Sequence, residues 1–154
     1  MIDPPQLARV PAQRTAVIRM TSPRNQIQQV MGPAFSELMA AVNAQGIAMT
    51  GAWFSHHFRV DPATFDFEVG VPVASPVAPV GRVMPGELPA ARVARTVYHG
   101  GYEGLGGGWG EFEEWIAAEE LSTAPGFWER YVVGPESGPD ASAWRTELVR
   151  PLTG

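Results

Sequence analysis

Two segments of this chain are close copies of each other, 78 residues apart. The segment VPAQRTAVIRM at residues 10–20 returns as LPAARVARTVY at residues 88–98. Each copy is followed by a helix-like stretch and then by a glycine-led segment with a tryptophan, at residues 51–53 and 126–128. This internal repeat predicts two related structural halves with pseudo-two-fold symmetry. A concave binding pocket is expected at the seam between such halves.

The composition is that of one globular domain. The chain has 154 residues, of which 45% are hydrophobic and 18% charged, enough to close a single core. We therefore predict one domain over residues 1–154, with half-repeats at about 8–73 and 86–152. The sequence has no cysteine, which excludes disulfides and thiolate metal sites and suits a reducing cytoplasm.

The charge pattern argues against nucleic acid and membrane partners. The 11 basic residues are all arginine and are scattered, against 16 acidic residues and a net charge of −5. Direct contact with nucleic acid needs a clustered basic face, which this pattern does not predict. No apolar run approaches the roughly 20 residues of a membrane helix, and no signal sequence opens the chain. The predicted location is the cytoplasm.

The first half reads as strand, helix and hairpin. Residues 1–7 predict a loose lead-in and residues 8–21 a strand. Ser22-Pro23 is expected to begin a helix that has a kink or a restart at Gly32-Pro33 and ends at Gly46. Its predicted apolar stripe is Ile27, Val30, Met31, Ala34, Leu38 and Val42. Residues 51–60 and 65–73 then predict a hairpin joined by Asp61-Pro62, and residues 74–85 a connector between the halves.

The second half repeats this order. A strand is predicted over residues 88–99, and a helix over about 104–120 whose first turn is softened by Gly106-Gly107-Gly108. The helix stripe is Leu105, Trp109, Phe112, Trp115 and Ile116. A closing hairpin follows at residues 127–133 and 143–152. The predicted fold is α+β, with β-α-β-β occurring twice, antiparallel strands and both helices on one face of the sheet.

Glu129 is the strongest candidate functional residue. In the predicted strand FWERYVV it shares a face with Phe127, Tyr131 and Val133. That face should be buried because it is mostly apolar, and burying a carboxylate costs free energy unless it is paired. Two alternatives need no function: Glu129 pairs with an arginine, or a bulge turns it to solvent. Otherwise burial raises its pKa, and it serves as counter-ion for a cation or as a general acid or base.

Several aromatic residues are candidates for the walls of a site around Glu129. Trp109 follows three glycines near the predicted helix start, where a pocket mouth is plausible, and Trp53 lies on the first hairpin. Aromatic walls beside a carboxylate bind flat cations by stacking and cation–π attraction. For each aromatic residue taken alone, packing in the core is the alternative interpretation, and Trp115 is assigned to the core.

No metal or cofactor site is predicted. His56 and His57 are adjacent on a strand, so they point to opposite faces and do not chelate one metal together. The glycine-rich segment at residues 104–110 lacks the Lys-Ser/Thr of a phosphate loop, and no serine lies in a nucleophile elbow.

Taken together, these segments resemble the GyrI-like small-molecule-binding family, which is related to the effector-binding domains of AraC-type and MerR-type regulators. The residues that carry the resemblance are spread from about 7 to 152. They are Leu88-Pro89-Ala90, His99-Gly100-Gly101-Tyr102, Trp109, Trp115-Ile116, Glu129-Arg130-Tyr131, Gly70-Val71-Pro72-Val73 and the tail 146–152. The sequence departs from the family at the soft helix start and at His56-His57, where an aromatic residue is often found.

The resemblance implies an eight-stranded curved antiparallel sheet with a pocket between two helices. It also implies a bulky, hydrophobic, often cationic or aromatic ligand held against Glu129. The expected ligand-binding residues are Glu129, Trp109, Trp53, Tyr131, Phe112 and His57. Since no helix-turn-helix fits before the first strand, the expected domain works alone or with a partner protein on another chain.

Three functions are ranked from this sequence. A stand-alone small-molecule binder comes first. A hydrolase that opens cyclopropane-containing genotoxins comes second, with Glu129 and Tyr131 as its catalytic residues. An inhibitor of DNA gyrase comes third. Such a role would use an acidic surface, and the net charge of −5 permits one, but the 16 acidic residues are thinly spread. The sequence sets neither the ligand nor the oligomeric state.

Overall fold

The structure is a computed structural model that describes residues 1–58 and 63–153. Within these residues the chain forms strands and two α-helices, together with short 3-10 turns. The helices are α1 (Ile27–Ala44) and α2 (Leu105–Ala118). The strands are β1 (Gln6–Val10), β2 (Gln13–Pro23), β3 (Phe54–His57), β4 (Thr64–Pro72), β5 (Val83–Leu88), β6 (Ala91–His99), β7 (Phe127–Val133) and β8 (Arg145–Pro151).

The predicted fold class is confirmed. The strands follow the order β1-β6-β8-β7-β3-β4-β2-β5 in an eight-stranded antiparallel sheet, and the two helices make the fold α+β. No helix in the described part of the chain is long and apolar enough to cross a membrane.

The chain divides into two compact units. The N-terminal unit is Pro11–Ala90, and the C-terminal unit is Met1–Val10 together with Ala91–Gly154. Within the N-terminal unit the strand order is β5-β2-β4-β3 with helix α1, and within the C-terminal unit it is β1-β6-β8-β7 with helix α2. The two orders correspond strand for strand. The repeat in the sequence is therefore a repeat in topology.

Two strands, β1 and β5, were not predicted as separate elements. The lead-in is not loose, because Gln6–Val10 pairs with β6 and the Asp3 amide donates to the Val97 carbonyl at 2.9 Å. The connector also holds a strand, since β5 pairs with β2. In chain order, β1–β4 with α1 and β5–β8 with α2 therefore each run β-β-α-β-β, rather than the predicted β-α-β-β. The predicted strand at 8–21 is two strands separated at Pro11-Ala12, because proline has no amide hydrogen to donate to the ladder.

The predicted start of the first helix is wrong. Strand β2 continues to Pro23, a 3-10 turn occupies Arg24–Gln26, and the Ser22 hydroxyl donates to the Pro23 carbonyl rather than capping a helix. Helix α1 then runs without a restart through Pro33 to Ala44. Gly46 follows with a φ of +66°, a left-handed conformation that glycine adopts at little cost.

Each unit has its own core between helix and sheet. In the N-terminal unit the predicted α1 stripe packs on the alternating residues of β4, among them Phe67, Val69 and Val71. In the C-terminal unit the α2 stripe packs on Ala94, Tyr98 and Leu148. Both predicted stripes are confirmed, and they determine which side of each helix packs on the sheet.

Glycines at the start of α2 let the helix approach strand β6. The Tyr98 hydroxyl donates to the Gly101 carbonyl at 3.0 Å, and the Tyr98 ring lies against Gly104 and Gly108. A Cβ at Gly108 would stand 2.6 Å from Tyr98 Cδ1. The predicted soft first turn is instead regular helix from Leu105, and this close contact accounts for the glycine at 108.

The hairpins differ in how fully they match the prediction. Of the strand predicted at 51–60, the described part forms a strand only at Phe54–His57. Residues 59–60 and the predicted turn at Asp61-Pro62 lie outside the described residues. The strand predicted at 127–133 has those bounds as β7, with a register shift between Tyr131 and Val133.

Candidate functional site

Strand β7 places Glu129 and Tyr131 on the covered face of the C-terminal unit. Glu129 is the register partner of Leu148, and Tyr131 is the partner of Thr146. Directly opposed residues in an antiparallel sheet share a face, and Leu148 belongs to the core under α2. Glu129 is only 9% exposed and Tyr131 only 6%. The alternative in which Glu129 turns to solvent is therefore wrong.

Both carboxylate oxygens of Glu129 accept hydrogen bonds from aromatic side chains. Trp109 Nε1 donates to Oε2 at 2.6 Å, and the Tyr131 hydroxyl donates to Oε1 at 2.9 Å. Two donors suit an ionised carboxylate, which only accepts hydrogen bonds. Bonds to such a group are about twice as strong as bonds between neutral groups, and they offset part of the cost of burial. The Glu129 side chain is held in one position between an indole and a phenol.

Further aromatic rings surround these donors. The Trp109 ring centroid lies 4.7 Å from that of Phe127, edge to face, and 5.7 Å from that of Phe112. Phe112 is fully buried, so it supports Trp109 from the core side, whereas Trp109 and Phe127 are half-buried. We call Glu129, Trp109, Tyr131, Phe112 and Phe127 the Glu129 cluster.

Phe127 is the member that the predicted set of binding residues omitted. The sequence could have indicated Phe127, because it lies two residues before Glu129 and therefore on the same face of the strand.

Trp53 and His57 belong to the N-terminal unit. The Trp53 ring lies 4.4 Å from the Phe35 ring of α1, edge to face. His57 is 3% exposed, stacks on Phe67 at 5.1 Å, and shares a 3.1 Å hydrogen bond between Nε2 and Ser55 Oγ. Burial, followed by the charges of His56 and Arg24, lowers the pKa of His57 to about 3. The imidazole is therefore neutral at neutral pH.

The four predicted residues that the structure brings together are Glu129, Trp109, Tyr131 and Phe112. Residues 1–58 and 63–153 contain no group of three or more His, Asp or Glu side chains placed to hold a metal ion.

Solved structures share this fold at low sequence identity. The C-terminal domain of EcmrR is 19% identical with a TM-score of 0.85, and the match covers 97% of each chain. In the EcmrR–DNA complex the match covers 97% of this chain but only 57% of the EcmrR chain, with a TM-score of 0.84 and 19% identity. SAV2435 bound to tetraphenylphosphonium is 13% identical with a TM-score of 0.65, covering 99% of this chain and 95% of that one. No curated protein matches the chain.

The match at the level of sequence families is to the GyrI-like small molecule binding domain, and it extends over residues 3–153. It spans both repeats and includes every residue of the Glu129 cluster. The chain belongs to the GyrI-like small-molecule-binding domain family.

Proposed function

We propose that this protein binds a bulky hydrophobic organic cation against Glu129 of the C-terminal unit. The observation that carries the proposal is the buried Glu129 carboxylate, oriented through both oxygens by Trp109 and Tyr131. A fixed, poorly hydrated negative charge attracts a cation more strongly than an exposed one, because less water screens it.

The aromatic rings supply the second part of the recognition. A delocalised cation is stabilised over the face of tryptophan or tyrosine by about 0.5–2 kcal/mol, more when water is excluded. The half-buried Trp109 and Phe127 rings offer such surfaces next to the carboxylate. Membership in the GyrI-like family supports a small-molecule ligand, and the tetraphenylphosphonium bound to SAV2435 supports its chemical class.

Calorimetric titration with tetraphenylphosphonium tests the proposal. Glu129→Gln keeps the shape of the side chain and removes its charge, so the affinity should fall by more than about tenfold, as for loss of a charge-assisted contact. Glu147→Gln is the matched control, because Glu147 lies on β8 next to Leu148 and faces Arg130 at 3.8 Å. Equal affinity of the native protein and Glu129→Gln would refute the role of this carboxylate.

Hydrolysis is a second candidate function of the same cluster. The Tyr131 hydroxyl, 2.9 Å from Glu129 Oε1, forms an acid–base pair of the kind that activates water or protonates a leaving group. In this case Glu129 takes a proton from water as the water oxygen bonds to a ring carbon of a strained cyclopropane. A carbon–carbon bond of the ring breaks, the part of the substrate that keeps the electron pair takes up that proton, and Tyr131 orients the substrate. Incubation with a cyclopropane-containing alkylator should yield the hydrated product, and Glu129→Gln should abolish that product. Binding of the compound without turnover would eliminate this candidate.

A further inference from the structure

The two edge strands of the sheet differ in the charges that face each other beside them. Strands β1 and β5 stand at the ends of the strand order, so each has one edge that pairs with no other strand in the described part of the chain. In the N-terminal unit, Glu87 of β5 lies directly opposite Arg14 of β2. In the C-terminal unit, Arg9 of β1 lies directly opposite Arg92 of β6. One constant offset of 78 residues relates the two pairs, so an arginine stands where the other repeat has a glutamate.

Arg9 and Arg92 form a like-charge pair, which destabilises an antiparallel sheet when the two residues are directly opposed. Neither side chain forms a hydrogen bond or an ion pair with a residue in 1–58 or 63–153. A third arginine on this face, Arg150, is the register partner of Ala94 and lies 3.4 Å from the Glu113 carboxylate. Two arginines are thus left without a paired carboxylate, although acidic residues outnumber basic ones by 16 to 11 in the chain.

Protection of the edge against aggregation does not account for Arg9. Charged residues and prolines on edge strands discourage unwanted pairing, and β5 contains both a proline and a glutamate. Strand β1 contains no proline, and its Leu7 is 48% exposed. A glutamate at position 9 would protect the edge equally well, and it would also attract Arg92. The arginine therefore points to a negative charge that another molecule supplies.

We propose that the outer edge of β1 binds an extended, acidic segment of a partner protein. An added strand satisfies the free backbone groups of an edge strand, while its alternate side chains give specificity. Leu7 and Arg9 lie on the same side of β1 because they are two residues apart. It is the side of α2, since Leu7 is the register partner of Ala94 in the core under that helix.

These positions define the chemistry of the segment. It carries a carboxylate opposite Arg9, because a guanidinium group binds a carboxylate through two parallel hydrogen bonds. It carries an apolar side chain opposite Leu7, two positions away along the added strand. This surface belongs to the edge of the sheet and is distinct from the Glu129 cluster.

Two capped peptides, VTETV and VTKTV, test the proposal in nuclear magnetic resonance titrations of the full chain. Each has a valine two positions from its central residue in either direction. The amide signals of β1 should shift as VTETV is added, and VTKTV should bind about fivefold more weakly, the effect of an exposed charge pair. Arg9→Glu should reverse this preference. Arg95→Glu is the matched control, because it makes the same change in charge on the other face of β6, opposite Gln6.

Thermal unfolding supplies a second readout. Arg9→Glu should raise the unfolding midpoint of the free protein by relieving the like-charge pair, whereas Arg95→Glu should not. Equal affinity of the native protein for the two peptides, or unshifted β1 signals, would overturn the proposal. A native dimer in sedimentation that Arg9→Glu abolishes would assign the edge to a second copy of the chain and would overturn it too. Tetraphenylphosphonium affinity should be unchanged in Arg9→Glu, so the result does not depend on the role proposed for Glu129.

Discussion

At the scale of single residues, the central feature is a buried carboxylate held by two aromatic donors. The glutamate was found from strand periodicity alone, because three of the four residues on its strand face are apolar or aromatic. The donors were named as neighbours, but no sequence pattern predicts that the Trp109 indole nitrogen lies 2.6 Å from Glu129 Oε2. That contact joins a helix to a strand and depends on how the two pack.

Removing one donor should destabilise the protein. Trp109→Phe keeps an aromatic ring but removes the N–H that Glu129 accepts, so the free energy of unfolding should fall by about 1–3 kcal/mol in denaturant titrations. Trp115→Phe on the same helix is the control for loss of ring area and should cost less. A smaller loss in Trp109→Phe than in Trp115→Phe would contradict the argument.

His57 should make stability depend on pH. Its pKa is lowered to about 3 in the folded state, against an ordinary value of 6.5, so below pH 6.5 the unfolded chain takes up a proton that the folded chain excludes. The contribution of the neutral His57 to the free energy of unfolding is therefore fully present above pH 6.5 and is lost as the pH falls toward 3. This contribution should fall by about 2 kcal/mol between pH 7 and pH 5.

The measurement is the difference in unfolding free energy between the native protein and His57→Gln at both pH values, because carboxylates contribute equally to each. The native protein should lose more on acidification. An equal loss of unfolding free energy in the two proteins would show that the pKa of His57 is not lowered in the folded state.

At the scale of elements, the helix stripes and β7 were predicted, while β1 and β5 were missed. Stripes and alternation are local patterns, visible in ten to twenty residues. Strands β1 and β5 are short and partly exposed, and they are held by pairing with β6 and β2 rather than by their own sequence pattern. Whether short strands of this kind form depends on the neighbouring strands that they pair with, more than on their own residues.

The start of α2 shows how packing overrides local propensity. Gly108→Ala should destabilise the protein, because the new Cβ would stand 2.6 Å from the Tyr98 ring. Gly107→Ala meets nothing within 4 Å and should stabilise the helix by up to about 1 kcal/mol. Thermal unfolding of both variants measures the contrast. Equal stabilisation by the two substitutions would show that Tyr98 does not hold α2 in place.

At the scale of the whole molecule, the repeat in the sequence explains the matching strand orders of the two units. The C-terminal unit includes β1, which comes from the start of the chain and pairs with β6. The N-terminal unit includes β5, which lies at its C-terminal end and pairs with β2. The similarity of residues 10–20 to residues 88–98 predicts the repeat, but it does not predict that residues 1–10 belong to the C-terminal unit. That assignment depends on pairing between positions about 90 residues apart, such as Gln6 and Arg95.

Removal of residues 1–10 should therefore destabilise the C-terminal unit selectively. The truncation deletes the β1–β6 pairing and the 2.6 Å bond from the Thr96 hydroxyl to the Asp3 carbonyl. Amide hydrogen exchange should accelerate in β6 more than in β4. If truncation left amide exchange in β6 unchanged, or accelerated it equally in β6 and β4, the assignment of residues 1–10 to the C-terminal unit would be contradicted.

The most direct test of the account is a crystal structure of the protein with tetraphenylphosphonium. We predict that the cation lies beside the Glu129 carboxylate, with its phosphorus within about 6 Å of the Trp109 ring centroid. A cation bound elsewhere, with Glu129 still bonded only as in the free protein, would contradict the central claim.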